Sequence, residues 1–473
     1  MHETYCHKIR PAAPPATSPA APSAAIDRNR YLFSEVRDRL REPSARGLAE
    51  AVGRAVGDGV LLPGRKLPPV RVVAAELRMS PTTVNAAWQL LRRAGTIQTD
   101  GRRGTVVATS RADGPGRYRA ALRGRTGFAL DLSTGVPDPR LLPSLPALAG
   151  LSPAPTSYLD EPVLPALGSL LRGRWPYSPE RLAIFDGAMD AIDHVASSLL
   201  RLGDRAVVEN PCFPPLLDLL ESLGVQVIGA GTDARGMLPS ALAAALTQRP
   251  AVVFLQPRAL NPTGASWSST RAAELAEVIS QTPSLYAVED DSAGDVSSVT
   301  PLSLGRHLPS QTVHVRSFSK SHGPDLRLAA VSAPAAVLDP VLERRLLGQG
   351  WTSRLLQHLL LTLLTDPTSK AAVATAREEY ARRRHLTVAA LATHGVALPP
   401  GDGINLWLPV ADEQAALISL ASHGIAAAAG TSFQVTPGPP HLRVTAGLIT
   451  ADHEAVAAHL ADAARAPALS IPR

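Results

Sequence analysis

Apolar positions near the N-terminus recur with helical spacing. Within residues 44–59, Leu48, Val52 and Val56 lie four residues apart, and glycines follow them. A side chain returns to the same face of a helix every three to four residues, so this stripe predicts one amphipathic helix that ends at the glycines.

A second stretch with helical periodicity follows, interrupted by a short break. The pattern predicts a helix over about Val70 to Leu77, a break at Met79 to Pro81, and another helix over about Thr82 to Arg93. Ser80 suits the N-cap of the latter helix, and proline suits its first position, where no backbone donor is lost. Two short helices joined by a tight break are typical of a helix-turn-helix.

The residues that begin the second of these helices, and those that follow it, suit contact with a nucleic acid. Thr82 and Thr83 stand at its N-terminal end, where a recognition helix meets base edges and phosphates. Residues 96–108 then form two β-rich runs around a tip with Arg102 and Arg103, which predicts a wing able to contact phosphate or a minor groove. Helices of this kind can also hold subunits together, and the pattern leaves that alternative open.

From Phe128 onward, helical segments alternate with short apolar runs. The runs RAVVEN, AVVFLQ, LYAVEDD and TVHVRS predict strands. Such alternation is expected when helices cover both faces of a mostly parallel sheet. Residues 109–127, which precede this region, are polar and rich in arginine without a hydrophobic period, and this predicts a linker.

Composition limits the classes of protein that the chain can belong to. Its 473 residues are 45% hydrophobic, enough for cores in two or three domains. The two cysteines, Cys6 and Cys212, are too few for a disulfide framework or a cysteine-based zinc cluster, so a reducing cytoplasm fits best. The longest apolar stretch, residues 355–365, falls short of the roughly 20 residues that a membrane-spanning helix needs, so no membrane partner is expected.

The location of the positive charge says more than its size. The net charge is +6, and residues 41–110 contain eleven Lys or Arg against five Asp or Glu, so this segment carries the whole excess. Nucleic acid is the polyanion that such a patch suits, although a solvated basic face would give the same count. Residues 1–25 are rich in Ala and Pro without a continuous apolar core, which favours a disordered leader over a signal peptide.

Polar or flat side chains follow the predicted strands of the large remainder. Gly187 and Ala188 begin a predicted helix, so backbone donors and the helix dipole would face any phosphate placed there. Phe213 follows a strand end beside prolines, where it would either lie flat on an aromatic ligand or pack in the core. Asn261 stands in an Asn-Pro-Thr-Gly loop, and Asp290 ends another predicted strand.

The stretch SFSKSHGPDLRLA, residues 317–329, places Lys320 just past a predicted strand, where α/β sheets collect ligands. Arg327 follows beyond a Gly-Pro break. A lysine in a polar loop is usually a solvated surface charge. Ser317 and Lys320 also match the Ser-x-x-Lys pattern of penicillin-binding enzymes, but the companion motifs Ser-Asp-Asn and Lys-Thr-Gly are absent from the sequence.

Taken together, these residues suit one small molecule. Pyridoxal 5′-phosphate requires a lysine for its Schiff base, a carboxylate beside its pyridine nitrogen, donors for its phosphate and a face on which its ring stacks. The residues named above supply each of these groups, at successive strand ends. We therefore expect pyridoxal 5′-phosphate as the cofactor.

Residues 63–107, from PGRKLPP to GTVV, resemble the winged helix of the GntR regulators. The resemblance implies a double-stranded DNA operator as the partner of this segment. The DNA contacts that it implies are Arg71, Ser80, Thr82, Thr83, Arg102 and Arg103.

Residues from about 128 to 468 resemble the fold type I aminotransferases, and their fusion to a GntR winged helix resembles the MocR branch of these regulators. By this resemblance, Lys320 would form the Schiff base and Asp290 would keep the pyridine nitrogen protonated. The other cofactor contacts that it implies are Arg327, Ser317, Gly187 and Ala188 for the phosphate, Asn261 for the ring hydroxyl and Phe213 for the ring face.

Two further residues carry the same resemblance. Tyr158 matches the tyrosine that reaches the phosphate of the neighbouring subunit, which implies a head-to-tail homodimer. Arg443 matches the arginine that forks onto the carboxylate of a substrate, a geometry that guanidinium provides and lysine does not. A surface ion pair is the alternative for Arg443.

The sequence also departs from the aminotransferase pattern. Ser292 stands where the family usually places a tyrosine, two residues after the key aspartate, and Met189 stands in the phosphate cup, where a polar side chain is common. A lost donor to the ring oxygen would change the proton affinity of the imine. Catalytic turnover is therefore less expected than cofactor capture.

The fold class expected is α/β: a winged helix-turn-helix, then a mixed, mostly parallel sheet with helices on both faces and a small C-terminal α/β subdomain. The predicted boundaries are a leader at 1–27, a GntR-type DNA-binding domain at 28–110, a linker at 111–127 and an aminotransferase-like domain at 128–468.

Three functions are compatible with these features. The first is a cytoplasmic transcription regulator that binds pyridoxal phosphate and a small amino compound as effector. The second is a working aminotransferase whose basic domain only localises or dimerises it. The third is a degenerate fold that serves only as a dimerisation scaffold.

Overall fold

The structure is a computed structural model, and it describes residues 33–93, 96–100, 104–108, 127–145 and 160–467. The predicted leader at 1–27 and the predicted linker at 111–127, except for Gly127, lie outside the described residues. No helix among the described residues is both long enough and apolar enough to cross a membrane.

The N-terminal part forms the predicted winged helix. Residues 33–39 are helical. The elements that follow are α1 (Ala45–Gly57), α2 (Val70–Leu77), α3 (Pro81–Arg93) and the antiparallel wing strands β1 (Ile97–Asp100) and β2 (Gly104–Val107). Leu48 and Val52 are buried, as the helical stripe predicts. The helices begin and end within two residues of the predicted bounds.

The start of α3 is fixed by a side-chain cap. Ser80 Oγ accepts a hydrogen bond from the backbone N–H of Thr83 at 3.0 Å, and the two hydroxyls lie 2.7 Å apart. Pro81 takes the first helical position, where its missing N–H costs nothing. Arg78 ends α2 in the left-handed region with φ of 53°, and this residue turns the chain toward α3.

The remainder is built on an eight-stranded sheet. In spatial order its strands are β4 (Arg181–Phe185), β11 (Ala329–Ala333), β10 (Thr312–Ser317), β9 (Tyr286–Asp291), β8 (Val252–Leu255), β5 (Arg205–Asn210), β6 (Gln226–Asp233) and β7 (Gly236–Met237). Neighbours from β10 to β6 are parallel, whereas β11 and β7 run antiparallel to their neighbours. Every residue of β8 and β10 is buried, as apolar runs covered on both faces require.

Helices cover both faces of this sheet. On one face lie α5 (Ala188–Leu199), α6 (Pro214–Ser222) and α10 (Ala335–Leu346). On the other lie α4 (Pro165–Gly173), α7 (Pro239–Leu246), α8 (Ser269–Ser280) and α11 (Arg354–Thr365). The mixed, mostly parallel α/β architecture predicted from the sequence is confirmed.

A small subdomain follows the long helix α12 (Pro367–Thr393). It contains the antiparallel strands β12 (Leu406–Pro409), β15 (His441–Val444) and β14 (Ala428–Ala429), with helices α13 (Glu413–Ser422) and α14 (His453–Ala464). Strand β13 (Ile425–Ala426) pairs in parallel with β3 (Leu130–Asp131), so the chain segment that precedes the large sheet also joins this subdomain.

Helix α13 joins the small subdomain to the winged helix. It packs on α14 and β13 on one side and on α1 and α3 on the other. For this reason seven consecutive residues, 415–421, are all buried. The side chains of Gln414 and Thr96 are hydrogen-bonded across the contact. The two parts therefore share one hydrophobic core, which the sequence analysis did not predict.

We expect Ser80→Ala to loosen the start of α3 and Ser80→Asp to leave it intact. Loss of an N-cap acceptor costs about 1 kcal/mol, which corresponds to about fivefold faster exchange of amides that open with the helix. Aspartate keeps an acceptor at this position and suits a helix N-terminus. Hydrogen-exchange mass spectrometry of a peptide covering residues 81–93 measures the effect. Equal exchange in wild type and Ser80→Ala would contradict the cap.

Candidate cofactor site and DNA-binding surface

The residues predicted for the cofactor meet at one edge of the large sheet. Strands β9 and β10 are parallel, and Val315 pairs with Asp290. Asp290 lies at the end of β9 and Lys320 follows the end of β10, so the two residues lie at neighbouring strand ends. Strand β11 runs in the opposite direction and begins at this edge, where Ala329 pairs with both Ser317 and Phe185. The turns that carry Gly187 and Arg327 therefore come to the same edge.

Lys320 and Asp290 lie in an environment that disfavours both charges. Lys320 stands on the short helix α9 (Ser319–His322), and its Nζ donates to Ser292 Oγ at 3.3 Å. Burial lowers the pKa of Lys320, although the charge of Asp290 opposes this effect. Burial likewise raises the pKa of Asp290 to about 6, against the attraction of Lys320. A neutral amine is the nucleophilic form, so this environment favours attack by Lys320.

Asp290 has one oxygen satisfied and one unsatisfied. Its Oδ2 accepts from Gln256 Nε2 at 3.2 Å, whereas Oδ1 is buried and has no hydrogen-bond partner in the part of the chain that the structure describes. A buried acceptor without a donor costs about 1–3 kcal/mol. A protonated pyridine nitrogen would supply that donor, so Asp290 fits the cofactor expected from the sequence.

Gln256 holds two of the predicted residues in place. Besides its bond to Asp290, its Oε1 accepts from the backbone N–H of Asn261 at 2.8 Å. Its own backbone N–H donates to the buried Glu209 Oε2 at 2.9 Å. Sequence reasoning missed Gln256. It is the last residue of the predicted strand AVVFLQ, but a glutamine at a strand end carries no distinctive signal.

The start of α5 and Arg327 form a cradle for an anion. Gly187 caps this helix with φ of 108°, and a Cβ on Gly187 would lie 3.0 Å from Nη2 of Arg327. Ala188 is the first residue of the helix, where backbone N–H groups have no partner within the helix and favour an anion. Ser317 is the last residue of β10, and its Oγ accepts a hydrogen bond from the backbone N–H of Ser319 at 3.2 Å.

Met189, which departs from the usual phosphate cup, packs against the core beneath α5. Phe213 is half-buried at the N-cap of α6, three residues after the end of β5. Asn261 is buried, and its Oδ1 lies 3.5 Å from Nδ2 of Asn405 in the small subdomain. The sheet edge thus meets the small subdomain at Asn261.

Arg443 is buried in the small subdomain, and the surface ion pair considered for it is wrong. It is 1% exposed, its Nη2 donates to the carbonyl of Ser133, and its Cζ lies 5.2 Å from the ring centre of Phe433. A Cβ on Gly135 would lie 2.6 Å from Nη1, so that position requires glycine. The charge of Arg443 helps to lower the pKa of Lys320, which relates it to the same site.

The two adjacent aspartates have different partners. Asp291 forms a buried fork with Arg258, with Nη2 to Oδ2 at 2.5 Å and Nε to Oδ1 at 3.1 Å. Burial alone would raise the pKa of Asp291, but Arg258 outweighs it and the pKa is lowered. Asp290 has no such guanidinium partner in the part of the chain that the structure describes. The described residues contain no group of three or more metal-ligating side chains.

The predicted DNA contacts are partly within the described residues. Arg71, Ser80 and Thr82 are exposed, and Thr83 is half-buried by its contact with Ser80. Ser80 and Thr82 therefore lie together on the open N-terminal end of α3. The other two predicted DNA contacts, Arg102 and Arg103, lie outside the described residues. So does Tyr158, the residue predicted to reach a neighbouring subunit.

We expect substitution of the two aspartates to change stability in opposite directions. In the unfolded chain the carboxyl of Asp290 has its ordinary pKa of 3.8, whereas burial raises this pKa to about 6 in the folded chain. The protonated carboxyl therefore stabilises the folded chain at about pH 4 and below, and this contribution is lost as pH rises from 4 to 6. At pH 7, Asp290→Asn should stabilise the ligand-free chain by at most about 3 kcal/mol, because each pKa unit is worth about 1.4 kcal/mol.

Asp291→Asn is the matched control, since it breaks the buried pair with Arg258 and should destabilise by about 3–5 kcal/mol. Thermal unfolding of dialysed protein between pH 4 and pH 8 measures both variants. The advantage of Asp290→Asn should vanish toward pH 4. A lower midpoint than wild type at pH 7 would contradict the assignment.

The chain is similar to known regulators along most of its length. Residues 44–107 match the family described as bacterial regulatory proteins, gntR family. The chain is 36% identical over 410 residues to the vitamin B6 salvage pathway transcriptional repressor PtsJ of Salmonella typhimurium, across 85% of this chain and 94% of that protein. It is 25% identical over 414 residues to the HTH-type transcriptional regulator TauR of Rhodobacter capsulatus, across 76% and 83% of the two chains.

Solved structures share the fold of the larger part. LysN, the alpha-aminoadipate aminotransferase of Thermus thermophilus, superimposes with a TM-score of 0.62 at 21% identity and covers 75% of this chain and 95% of its own. An archaeal alanine:glyoxylate aminotransferase gives 0.65 at 20% identity, over 73% and 93% of the chains. The chain therefore belongs to the GntR family of transcription regulators, in the MocR branch that joins a winged helix to a domain with the aminotransferase fold.

Proposed function

We propose that this regulator binds pyridoxal 5′-phosphate in its aminotransferase-like domain and responds there to a small amino compound as effector. The observation that carries the proposal is the buried Lys320 amine beside Asp290, whose buried Oδ1 has no donor among the described residues. The relative PtsJ is named as a repressor of the vitamin B6 salvage pathway, which supports a B6 compound as the ligand.

Lys320 and Asp290 would hold the two ends of the reactive system. When bound, the cofactor supplies an aldehyde that reacts with primary amines and a ring that withdraws electrons. The lowered pKa of Lys320 increases the neutral fraction of its amine, and Ser292 Oγ orients that amine. Oδ1 of Asp290 would accept a hydrogen bond from the protonated ring nitrogen, and the positive charge on this ring would in turn favour the ionised carboxylate.

The remaining predicted residues would position the group. Arg327 and the backbone donors at Gly187 and Ala188 suit a phosphate, because a guanidinium and a helix N-terminus both favour anions. Ser317 adds a hydroxyl near this cradle. Asn261, held by Gln256, suits the ring hydroxyl, and Phe213 suits the ring face at the end of β5.

Arg443 would recognise the effector. Its charge acts on Lys320, so a carboxylate bound by its guanidinium would place an adjacent amine near the cofactor. Ser292 in the position of the usual tyrosine favours ligand exchange over a complete transamination. By resemblance alone, we also propose a head-to-tail homodimer in which Tyr158 of one copy reaches the phosphate of the other.

Helix α13 would carry the signal to DNA. Effector binding can shift DNA binding only if the effector prefers one arrangement of the protein over another. Arg443 and α13 belong to the same small subdomain, and α13 packs directly on α1 and α3. A change in the position of this subdomain would therefore move the recognition helix with it.

Lys320→Ala should abolish the visible absorbance of protein incubated with pyridoxal phosphate and leave non-specific DNA binding unchanged. The structural reason is that Lys320 is the amine at the sheet edge, whereas the winged helix lies elsewhere. Lys370→Ala is the matched control, because Lys370 is exposed on α12 and should keep the full band. Absorbance spectra and a DNA band-shift assay on the same samples give both results. An undiminished band in Lys320→Ala would refute the assignment.

A working aminotransferase is the competing function. It predicts rapid formation of keto acid when the purified chain receives amino acids and an oxo-acid acceptor. The regulator predicts binding without sustained turnover, together with an effector-dependent change in DNA affinity. Sustained turnover by wild type would overturn the regulatory function.

A further inference from the structure

A second cavity lies beside the proposed cofactor site and is separate from it. Its volume is about 310 Å³, and it opens between the ends of β5 and β6 and the small subdomain. Thr263, two residues after Asn261, lines one wall. Lys320, Asp290 and Arg443 do not line it.

A buried arginine that has no acidic ion-pair partner among the described residues lines this cavity. Arg384 of α12 is 7% exposed, and its Nη1 donates to the carbonyl oxygen of Asn405. Among the described residues no carboxylate oxygen lies within 4.0 Å of its guanidinium. The acidic group that acts on it electrostatically, Asp402, has its two oxygens bonded by Ser297 and Ser298.

The guanidinium of Arg384 packs closely against two glycines. A Cβ on Gly264 would lie 2.9 Å from two of its nitrogens, and a Cβ on Gly401 would be closer still. Nε and Nη2 of Arg384 have no hydrogen-bond partner among the described residues, and each keeps some accessible surface. Because Arg384 lines the cavity, these two donors are available to a ligand there. A buried charge without a counter-ion is costly, and a bound anion would remove much of that cost.

The aromatic part of the lining suits a flat apolar group. The rings of Trp407 and His441 stack with centroids 4.8 Å apart and planes within 6°. Leu398, Pro399 and Pro400 also line the cavity. Apolar and aromatic walls with a few placed polar groups are typical of small-molecule sites.

We propose that this cavity is a second ligand site, which binds a small aromatic carboxylate with its carboxylate on Arg384 and its ring against the Trp407–His441 wall. The site adjoins the cofactor site through Asn405. The carbonyl oxygen of Asn405 accepts from Arg384, while its Nδ2 lies 3.5 Å from Oδ1 of Asn261. Binding of the aromatic carboxylate does not rest on the proposed function. An influence of this carboxylate on the cofactor does rest on it.

Isothermal titration of the full-length protein with benzoate tests the proposal. Benzoate should bind with one site per chain, and both acetate, which lacks the ring, and benzyl alcohol, which lacks the charge, should bind more weakly. Arg384→Gln should weaken benzoate about tenfold or more, since hydrogen bonds to charged groups contribute about 1.5–3 kcal/mol. Arg382→Gln is the matched control, because Arg382 is exposed on the same helix and pairs with Glu379 at 2.7 Å.

Three results would overturn the proposal. They are no benzoate binding by wild type, undiminished binding by folded Arg384→Gln, and loss of binding in Arg443→Gln instead, which would place the carboxylate in the cofactor site. If Arg384→Gln does not fold, Ala397→Trp at the exposed rim should block benzoate, and unchanged binding by it would count against the cavity. A chain that binds benzoate here but takes up no pyridoxal phosphate would refute only the proposed function.

Discussion

Desolvation of one amine and one carboxyl group at the edge of the sheet is the constraint on which the structure of the site depends. Burial lowers the pKa of Lys320 and raises that of Asp290, so each group is closer to neutral than it would be in water. Parallel pairing of β9 with β10 brings these residues to neighbouring strand ends, and Gln256 fixes the carboxyl. Oδ1 of Asp290 has no hydrogen-bond donor among the described residues, and a protonated ring nitrogen would supply that donor.

The adjacent Asp291 shows how much such an environment depends on one neighbour. Both aspartates are buried. Arg258 forms a fork with Asp291 and lowers its pKa, whereas the partner of Asp290 among the described residues is the amide of Gln256, and the pKa of Asp290 is raised. The carboxyl without a guanidinium is the one that faces Lys320. The structure thus pairs Asp291 with a cation of the protein, whereas Asp290 is the residue that we propose for the ligand.

Local patterns sufficed to predict much of this molecule. Apolar runs buried on both faces identified β5, β8, β9 and β10, and the serine before a proline identified the start of α3. Gln256 and the partner of Asp291 could not be predicted, because their roles depend on contacts between chain segments 33 or more residues apart. Helix α13 did carry a signal: residues 415–421 include little that is polar, and a helix that is apolar all round needs partners on every side.

The contact of α13 with α1 and α3 gives the two parts of the chain a physical means of communication. A linker alone would leave the winged helix free to move, whereas a shared core makes its position depend on that of the small subdomain. Arg443 belongs to this subdomain. The subdomain contacts the edge of the large sheet where Asn405 meets Asn261. The proposed recognition of a ligand by Arg443 and the placement of the recognition helix therefore involve the same small subdomain.

The most direct test of the account is to name the amine that holds the cofactor. Lysine occurs only at positions 8, 66, 320 and 370, so borohydride reduction of wild-type protein loaded with pyridoxal phosphate, followed by peptide mapping, gives an unambiguous answer. The account predicts a single modified peptide that contains Lys320. Modification at another lysine, or no stable modification at saturating pyridoxal phosphate, would contradict it.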